Sequence, residues 1–174
     1  MKFAITGHTS GIGKAVAEMC HTKGYQWIGF SRGTGYDIAR EKDCGKIVYE
    51  SSDCDVFINN AYYEYAQVDL LYQMWDSWKD QRKQIVCISS VAGDIRYNEV
   101  MPYSVHKAAL DHACEQLQSA SSECAVINIK PSYVDTPWHE GNNTIDKMNP
   151  KHLADNILWC IEQPVHIETM RISA

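Results

Sequence analysis

The sequence lacks the features that indicate several common classes of protein. It has no run of about 18 apolar residues, the length that a membrane-spanning helix needs, and no C-x-x-C pair among its seven cysteines. Lysine and arginine do not cluster either: the densest group is Lys79, Arg82 and Lys83, in a chain with a net charge of −6. We therefore expect no membrane contact, no nucleic-acid partner and no metal site.

The remaining composition is that of an ordinary globular domain. The chain has 174 residues, of which 45% are hydrophobic and 22% are charged, enough for one core. Several cysteines lie in apolar runs, as Cys87 does, so we expect buried, reduced thiols in a cytoplasmic protein. The first residues lead directly into a strand and a turn, so we expect no signal peptide. A single domain is predicted over residues 1–174.

Apolar runs alternate with helical patterns along the chain. The runs predict strands at 3–6, 26–30, 55–59, 84–89, 124–129 and 165–172, with a stub of strand at 36–38. Helices are predicted after the first turn, at 39–51, 67–80 and 103–120, and after Asn149-Pro150, where Asn suits the N-cap and Pro the first helical position. This pattern predicts an α/β fold with a single doubly wound parallel sheet, helices on both faces, and no helix between the second strand, at 26–30, and the third, the stub at 36–38.

A glycine-rich turn joins the first strand to the first helix. It reads T-G-H-T-S-G-I-G over residues 6–13. In a doubly wound sheet this turn holds the diphosphate of a dinucleotide, because glycines let the backbone approach and the helix N-terminus offers free N–H groups. An ordinary turn is the alternative. We predict a dinucleotide site at Gly7, Thr9, Ser10, Gly11, Ile12 and Gly13.

Ser31 and Arg32 follow the second predicted strand, where nucleotide-binding folds meet the adenosine ribose. An acidic residue here would bind the ribose 2′-hydroxyl and favour NAD(H). A hydroxyl and a guanidinium suit a 2′-phosphate instead. The predicted cofactor is therefore NADP(H) rather than NAD(H), with a merely solvated arginine as the alternative.

Tyr103 and Lys107 project from one face of the long predicted helix, one turn apart. An ammonium near a phenol favours the phenolate, so we expect a lowered pKa for Tyr103. Such a pair suits a carbonyl reductase, which needs a proton donor beside the carbonyl oxygen while hydride arrives at carbon. Ser90, at the carboxyl end of a strand, can bind the same oxygen. Taken alone, a surface pair of side chains is the alternative.

Together, the T-G-x-x-x-G-I-G turn, the upstream serine and Y-x-x-x-K resemble the short-chain dehydrogenase/reductase family, in a compact member. The resemblance implies that Tyr103 is the acid/base, that Lys107 binds the nicotinamide ribose and assists that tyrosine, and that Ser90 rather than Ser89 orients the substrate. It also implies cofactor contacts from the adenine side to the nicotinamide, at Asp37, Asn60, Ala61, Pro131, Val134 and Thr136.

The sequence departs from the family pattern in three places. Tyr62 and Ser132 stand where the family has glycines near the cofactor, which implies a narrower site. The asparagine of the family's catalytic tetrad has no clear counterpart; Asp69 is the nearest residue, and a carboxylate accepts hydrogen bonds without donating. The segment at 137–148, a substrate lid in the family, is brief, and Trp138 within it is a candidate for substrate contact.

The combined prediction is an NADP(H)-dependent oxidoreductase that interconverts a small carbonyl and an alcohol by hydride transfer. The alternative is a catalytically weak or inactive NADP(H)-binding protein with a regulatory or structural role. Family members often pair through the helices predicted here at 67–80 and 103–120, which implies a homodimer or a homotetramer.

Overall fold

The protein, described by a computed structural model over residues 1–139 and 146–174, is built around a parallel sheet of six strands. The strands are β1 (Lys2–Thr6), β2 (Gln26–Phe30), β3 (Val56–Asn59), β4 (Gln84–Ile88), β5 (Ala125–Pro131) and β6 (Thr169–Ile172), in the spatial order β2-β1-β3-β4-β5-β6. The helices of the described residues are α1 (Gly11–Thr22), α2 (Glu41–Glu50), α3 (Ala66–Trp78), α4 (Pro102–Ser119) and α5 (Pro150–Glu162). The predicted doubly wound α/β fold is confirmed.

The helices cover both faces of the sheet and divide the core into two layers. Alternate side chains of β1 point to opposite faces, so Phe3 and Ile5 join one layer and Ala4 joins the other. The first layer contains the apolar sides of α1 and α5, and the second contains those of α2, α3 and α4. Burial on both faces explains why the central strands are almost entirely apolar.

The order of the strands reverses between β1 and β3. β1 pairs with β2 on one side and with β3 on the other, so the chain crosses over β1 on its way from β2 to β3. In open parallel sheets, ligands bind in the crevice that such a reversal opens beyond the carboxyl ends of the strands. The glycine turn leaves β1 at this edge of the sheet.

The predicted stub of strand at 36–38 is absent, which is a correction to the sequence reading. Residues Arg32–Thr34 form a 3-10 turn instead, and Gly35 follows in the left-handed region at φ 91°. The main-chain N–H of Tyr36 then donates to the Ser31 carbonyl at 2.9 Å, so the chain folds back before it can extend beside β2. β2 is consequently the outermost strand on that side, and α2 connects it to β3.

The ends of other elements follow the predictions more closely. Pro150 begins α5, and the Asn149 side chain accepts from the N–H of Lys151 at 2.8 Å, as expected for an N-cap. The closing strand is shorter than predicted and forms only over Thr169–Ile172. All seven cysteines are buried and free, so their predicted burial is confirmed.

Two kinds of feature are absent from the described residues. Among residues 1–139 and 146–174, no helix combines the length and the apolar character needed to cross a membrane. The same ranges contain no group of three or more His, Cys, Asp or Glu side chains arranged to hold a metal ion.

Candidate active site

The glycine turn after β1 forms a cradle of bare backbone, which we call the glycine cradle (residues 7–13). Gly7 and Gly11 have positive φ angles of 71° and 53°, a conformation that suits glycine. A Cβ atom on Gly13 would clash with the carbonyl oxygen of Gly7 and would lie 2.6 Å from the amide nitrogen of Asn60. The turn can therefore close only when this position carries no side chain.

The floor of the cradle is fixed by Thr6 and Asn60. The main-chain N–H groups of Asn60 and Ala61 donate to the Thr6 hydroxyl at 2.9 and 3.0 Å, and that hydroxyl donates to the Ile58 carbonyl at 3.2 Å. The Asn60 side chain donates to the Thr6 carbonyl at 2.9 Å. Asn60 and Ala61 thus lie beside the cradle, where they hold the carboxyl end of β1 against that of β3.

The N-terminus of α1 opens toward the cradle with its N–H groups available. Ser10 is the N-cap and is exposed, and among the described residues no side chain caps the helix and no acidic residue lies in its first turn. The first N–H groups of a helix have no intrahelical acceptor and carry partial positive charge. Thr9 is exposed beside them, whereas Ile12 packs against the core. This arrangement suits an anionic group such as a diphosphate.

The carboxyl end of β5 reaches the same turn. The Thr136 methyl group would lie 3.3 Å from a Cβ atom on Gly11, which brings Thr136 over the cradle. Val134 is buried and forms a bridge with Met148, and Pro131 accepts a hydrogen bond from the Ser90 hydroxyl at 3.5 Å. Thr136 therefore lies beside the cradle, and Pro131 lies beside Ser90.

Ser31 and Arg32 lie at the carboxyl end of β2. Ser31 is buried, and its side chain and that of Thr34 cap the 3-10 turn reciprocally. Arg32 is exposed beside this turn. The Asp37 carboxylate accepts from the N–H of Ala39 at 3.1 Å and lies 3.9 Å from the Arg40 side chain, so Asp37 stabilises its own loop.

Ser90 and Tyr103 are brought together, as predicted. Their side chains are near enough for Ser90 to lower the pKa of Tyr103, and the Ser90 hydroxyl accepts from the N–H of Ala92 at 3.1 Å. Ser89, by contrast, is buried, and its hydroxyl is directed to the main-chain carbonyl of Lys107 at 3.5 Å. Ser89 is thus engaged with the main chain, and the role expected for Ser90 stays a prediction.

The expected lowering of the Tyr103 pKa is wrong. Burial raises the pKa of Tyr103, and the nearby Ser90 hydroxyl offsets this only in part. The Lys107 ammonium lies 5.6 Å from the centre of the Tyr103 ring and is itself buried, so desolvation lowers the pKa of Lys107 to about 8. The phenol of Tyr103 is consequently protonated at neutral pH.

Gln67 is a residue of the site that sequence reasoning missed. Lys107 donates from Nζ to the Gln67 side-chain oxygen at 2.7 Å and to the Ile88 carbonyl at 2.8 Å. Asp69, the residue considered nearest to the missing asparagine, is exposed in the first turn of α3 and does not contact Lys107 among the described residues. The sequence signal that could have indicated this role is the side-chain amide of Gln67 itself, at the start of the helix that follows Asn59-Asn60.

Tyr62 fills the space where the family resemblance implies a glycine. Its ring lies 5.2 Å from the Lys107 ammonium and 5.0 Å from the centre of the Tyr103 ring. Its hydroxyl and Nδ1 of His106 form a hydrogen bond of 2.8 Å, and its ring meets that of Trp138 edge-on at 5.7 Å. The expectation of a narrower site is consistent with this aromatic cover over Lys107.

The other departures from the family pattern, at Ser132 and in the segment at 137–148, contribute less to the shape of the site. The N–H of Ser132 donates to the Ile172 carbonyl at 2.9 Å, at the end of β5. Trp138 is 66% exposed, so most of its ring remains available to a ligand. Of the segment expected to act as a lid, residues 140–145 lie outside the described residues.

Comparisons with known proteins agree with this arrangement. A family model described as short chain dehydrogenase matches residues 66–146, which include Ser90, Tyr103 and Lys107. An uncharacterised oxidoreductase of Staphylococcus aureus (strain MRSA252) is 24% identical, in an alignment that covers 97% of this chain and 94% of the relative.

Solved structures share the fold at low identity. A short-chain dehydrogenase from Burkholderia cenocepacia J2315 in complex with NADP has a TM-score of 0.86 at 16% identity, over 99% of this chain and 88% of that one. A 3-alpha-hydroxysteroid dehydrogenase from Pseudomonas sp. B-0831 complexed with NADH has a TM-score of 0.82 at 16% identity, over 99% and 95% of the chains. The family model, the oxidoreductase relative and the fold of the solved structures all point to similarity with short-chain dehydrogenases.

Proposed function

We propose that this protein is an NADP(H)-dependent oxidoreductase that interconverts a small carbonyl compound and the corresponding alcohol. The observation that carries the proposal is that Ser90 and Tyr103 lie together beside Lys107, at the same sheet edge as the glycine cradle. A hydride carrier and a proton donor must both reach one carbonyl group, and this edge brings their sites together.

The residues present fit a nicotinamide dinucleotide. The cradle has no side chains at its closest approach, and the uncapped start of α1 suits the diphosphate. The exposed guanidinium of Arg32 suits the 2′-phosphate of NADP(H), with Ser31 beside it. Structural relatives contain NADP in one case and NADH in another, so the preference for NADP(H) depends on Arg32. When bound, the cofactor supplies or accepts the hydride.

The chain itself handles the proton. In the direction of reduction, the Tyr103 hydroxyl donates its proton to the carbonyl oxygen, and Ser90 donates a hydrogen bond to the same oxygen. The raised pKa of Tyr103 keeps this proton in place at neutral pH. The Lys107 ammonium, close to the Tyr103 ring, stabilises the phenolate that remains after the proton has left.

One observation favours the alternative of a cofactor-binding protein with weak or no catalysis. The Tyr62 ring covers Lys107, and the hydrogen bond to His106 holds it there. If this cover persists, the nicotinamide end of a bound dinucleotide cannot reach the ammonium. Binding of NADPH without turnover would then be observed.

The test is oxidation of NADPH with a panel of small ketones and aldehydes. We expect turnover by the unmodified protein and a loss of about 10²–10⁴-fold in Tyr103→Phe, because the proton donor is removed. Tyr72→Phe is the matched control: the Tyr72 hydroxyl binds Gln116 at 2.6 Å on the surface, and its loss should leave turnover unchanged. Equal turnover in Tyr103→Phe would overturn the assignment, and tight NADPH binding with no turnover on any substrate would favour the alternative.

A further inference from the structure

Gln67 makes hydrogen bonds with both ends of its side-chain amide in the interior. The residue is 2% exposed, at the start of α3. Its nitrogen donates to the carbonyls of Asn59 at 2.8 Å and Ile88 at 3.3 Å, while its oxygen accepts from Lys107 at 2.7 Å. In return, the Asn59 side chain donates to the Gln67 main-chain carbonyl at 2.8 Å.

These partners fix which way the amide faces. If the amide were flipped, its NH₂ group would point at the Lys107 ammonium and its oxygen would face two carbonyl oxygens. All three contacts would then join like partners, two donors or two acceptors. The oxygen of Gln67 is therefore held toward Lys107 by hydrogen bonds that Lys107 does not itself make.

The ammonium of Lys107 has three N–H groups, and two of them are engaged by Gln67 and the Ile88 carbonyl. The rings of Tyr62 and Tyr103 lie on its other sides, 5.2 and 5.6 Å from Nζ to the ring centres. We propose that Gln67 is a positioning residue that stabilises the charged form of Lys107 and leaves one N–H group for the ligand side. The proposal rests on the proposed function only for the role of Lys107.

The charged and titratable groups around Lys107 do not accept hydrogen bonds from its ammonium among the described residues, so its acceptors are neutral. The titratable neighbours are Cys87 on β4 and Cys114 on α4, and the carboxylate of Asp111 on α4 favours the ammonium from a distance. Tyr103 on α4 and Tyr62 after β3 present their rings to it. On α3, the acidic residue Asp69 is exposed. Among the described residues no carboxylate lies within ion-pair distance of Nζ, so the carbonyls of Gln67 and Ile88 supply its direct hydrogen bonds.

A purely structural role for Gln67 is the competing explanation, because the reciprocal bonds with Asn59 also attach α3 to β3. The two roles differ in their effect on Lys107. A structural role changes the stability of the fold, whereas a positioning role changes the proton affinity of the Lys107 amine.

The experiment measures the titration of Lys107 by NMR of its Cε–H groups, with the signal assigned by its absence in Lys107→Met. Gln67→Met removes the acceptor at similar side-chain length and should lower the midpoint by about one pH unit, a tenfold loss in proton affinity. Gln67→Glu places a carboxylate beside the amine and should raise the midpoint by about one pH unit or more.

The matched control is Gln118→Met. Gln118 lies on α4, and its side-chain amide also donates to two main-chain carbonyls, those of Val126 at 3.1 Å and Glu168 at 2.6 Å. This substitution should leave the midpoint of Lys107 unchanged. The same midpoint in Gln67→Met as in the unmodified protein would overturn the proposal. If Gln67→Met does not fold, an unchanged midpoint in Gln67→Glu would overturn it.

The titration needs neither cofactor nor substrate, so it is separate from the test of function. A protein that oxidises no NADPH but shows the two opposite shifts would contradict the proposed activity and support this inference. A protein with normal turnover and an unshifted midpoint would do the reverse.

Discussion

The glycine cradle and the Ser90–Tyr103–Lys107 group lie at the same edge of the sheet but are held in place differently. The cradle is shaped by what is missing: Gly7 and Gly11 take left-handed conformations, and a side chain at Gly13 would collide with the backbone of the turn. The Ser90–Tyr103–Lys107 group is instead held in place by side chains, because Gln67 and the ring of Tyr62 lie against the ammonium of Lys107.

This difference has consequences for how each half responds to change. Backbone geometry tolerates no added atoms but carries no charge that pH could remove. Buried side-chain hydrogen bonds tolerate some change of shape, yet they depend on the protonation of the groups that make them. We therefore expect substitutions to disrupt the glycine cradle through steric clashes, and to disrupt the Ser90–Tyr103–Lys107 group through changes in electrostatic interactions.

The largest expected effect concerns the buried ammonium of Lys107 and the free energy of unfolding. Because the pKa of Lys107 is about 8 in the folded protein and about 10.5 in the unfolded chain, the unfolded chain binds more protons between these values. The contribution of Lys107 to the free energy of unfolding should thus rise by about 3 kcal/mol as pH increases from 8 to 10.5, and stay constant below pH 8. Urea unfolding of the unmodified protein and of Lys107→Met gives this contribution as the difference between them. A difference that does not vary with pH would mean that Lys107 is not desolvated.

The next largest effect concerns the close packing of the glycine cradle. Gly13→Ala should lower the free energy of unfolding by about 2 kcal/mol, because its Cβ atom has no room beside Gly7 and Asn60. Stabilisation by NADPH in a thermal melt should disappear with it. Gly45→Ala is the matched control: Gly45 lies within α2 with nothing near its missing Cβ atom, so this change should stabilise the protein by about 0.5–1 kcal/mol. Equal behaviour of the two variants would refute the steric explanation.

A smaller effect concerns the outer end of the cofactor site. Arg32→Ala should weaken NADPH binding by about 1.5–2 kcal/mol and leave NADH binding unchanged, since only NADPH carries the 2′-phosphate. Arg82→Ala is a suitable control, because Arg82 is exposed and pairs with Glu123 just before the start of β4, at the opposite end of the strands from the cradle. Calorimetric titration of both cofactors measures the change. Equal losses for NADPH and NADH would show that Arg32 does not select the phosphate.

The smallest effect tests whether the aromatic cover obstructs the site. Tyr62→Ala removes the ring above Lys107 and its hydrogen bond to His106. We expect NADPH to bind about fivefold more tightly, about 1 kcal/mol. Tyr65→Ala is the control, because Tyr65 also packs against His106, at 4.5 Å between ring centres, but is not a neighbour of Lys107 in the described contacts. Weaker binding in Tyr62→Ala would mean that the ring is part of the cofactor site.

Most of the fold could be predicted because its signals are local. The apolar runs, the Asn149-Pro150 start of α5 and the glycines after β1 each depend on neighbouring residues. The pairing of Ser90 with Tyr103 also followed from their places at a strand end and on a helix face. The segment at 36–38 was misread because its apolar residues pack from a turn: the Tyr36 ring meets Phe30 edge-on at 4.9 Å without any strand.

The errors within the site concern contacts that are distant in sequence. Gln67 and Lys107 are 40 residues apart, and only the packing of α3 against the sheet makes the amide an acceptor for the ammonium. The pKa of Tyr103 depends on how deeply its ring is buried, a quantity that the spacing of Tyr103 and Lys107 does not contain. Local sequence therefore indicated the proposed reacting groups but not their electrostatic surroundings.

The buried cysteines give this protein a set of internal reporters. Burial raises the pKa of Cys20 and Cys124 to about 12 and that of Cys54 to about 11, so in the native state these thiols are both inaccessible and protonated. An alkylating reagent can reach them only when the surrounding element opens. Because Cys20 lies on α1 and Cys124 just before β5, the order in which the thiols are labelled would report which part of the sheet opens first.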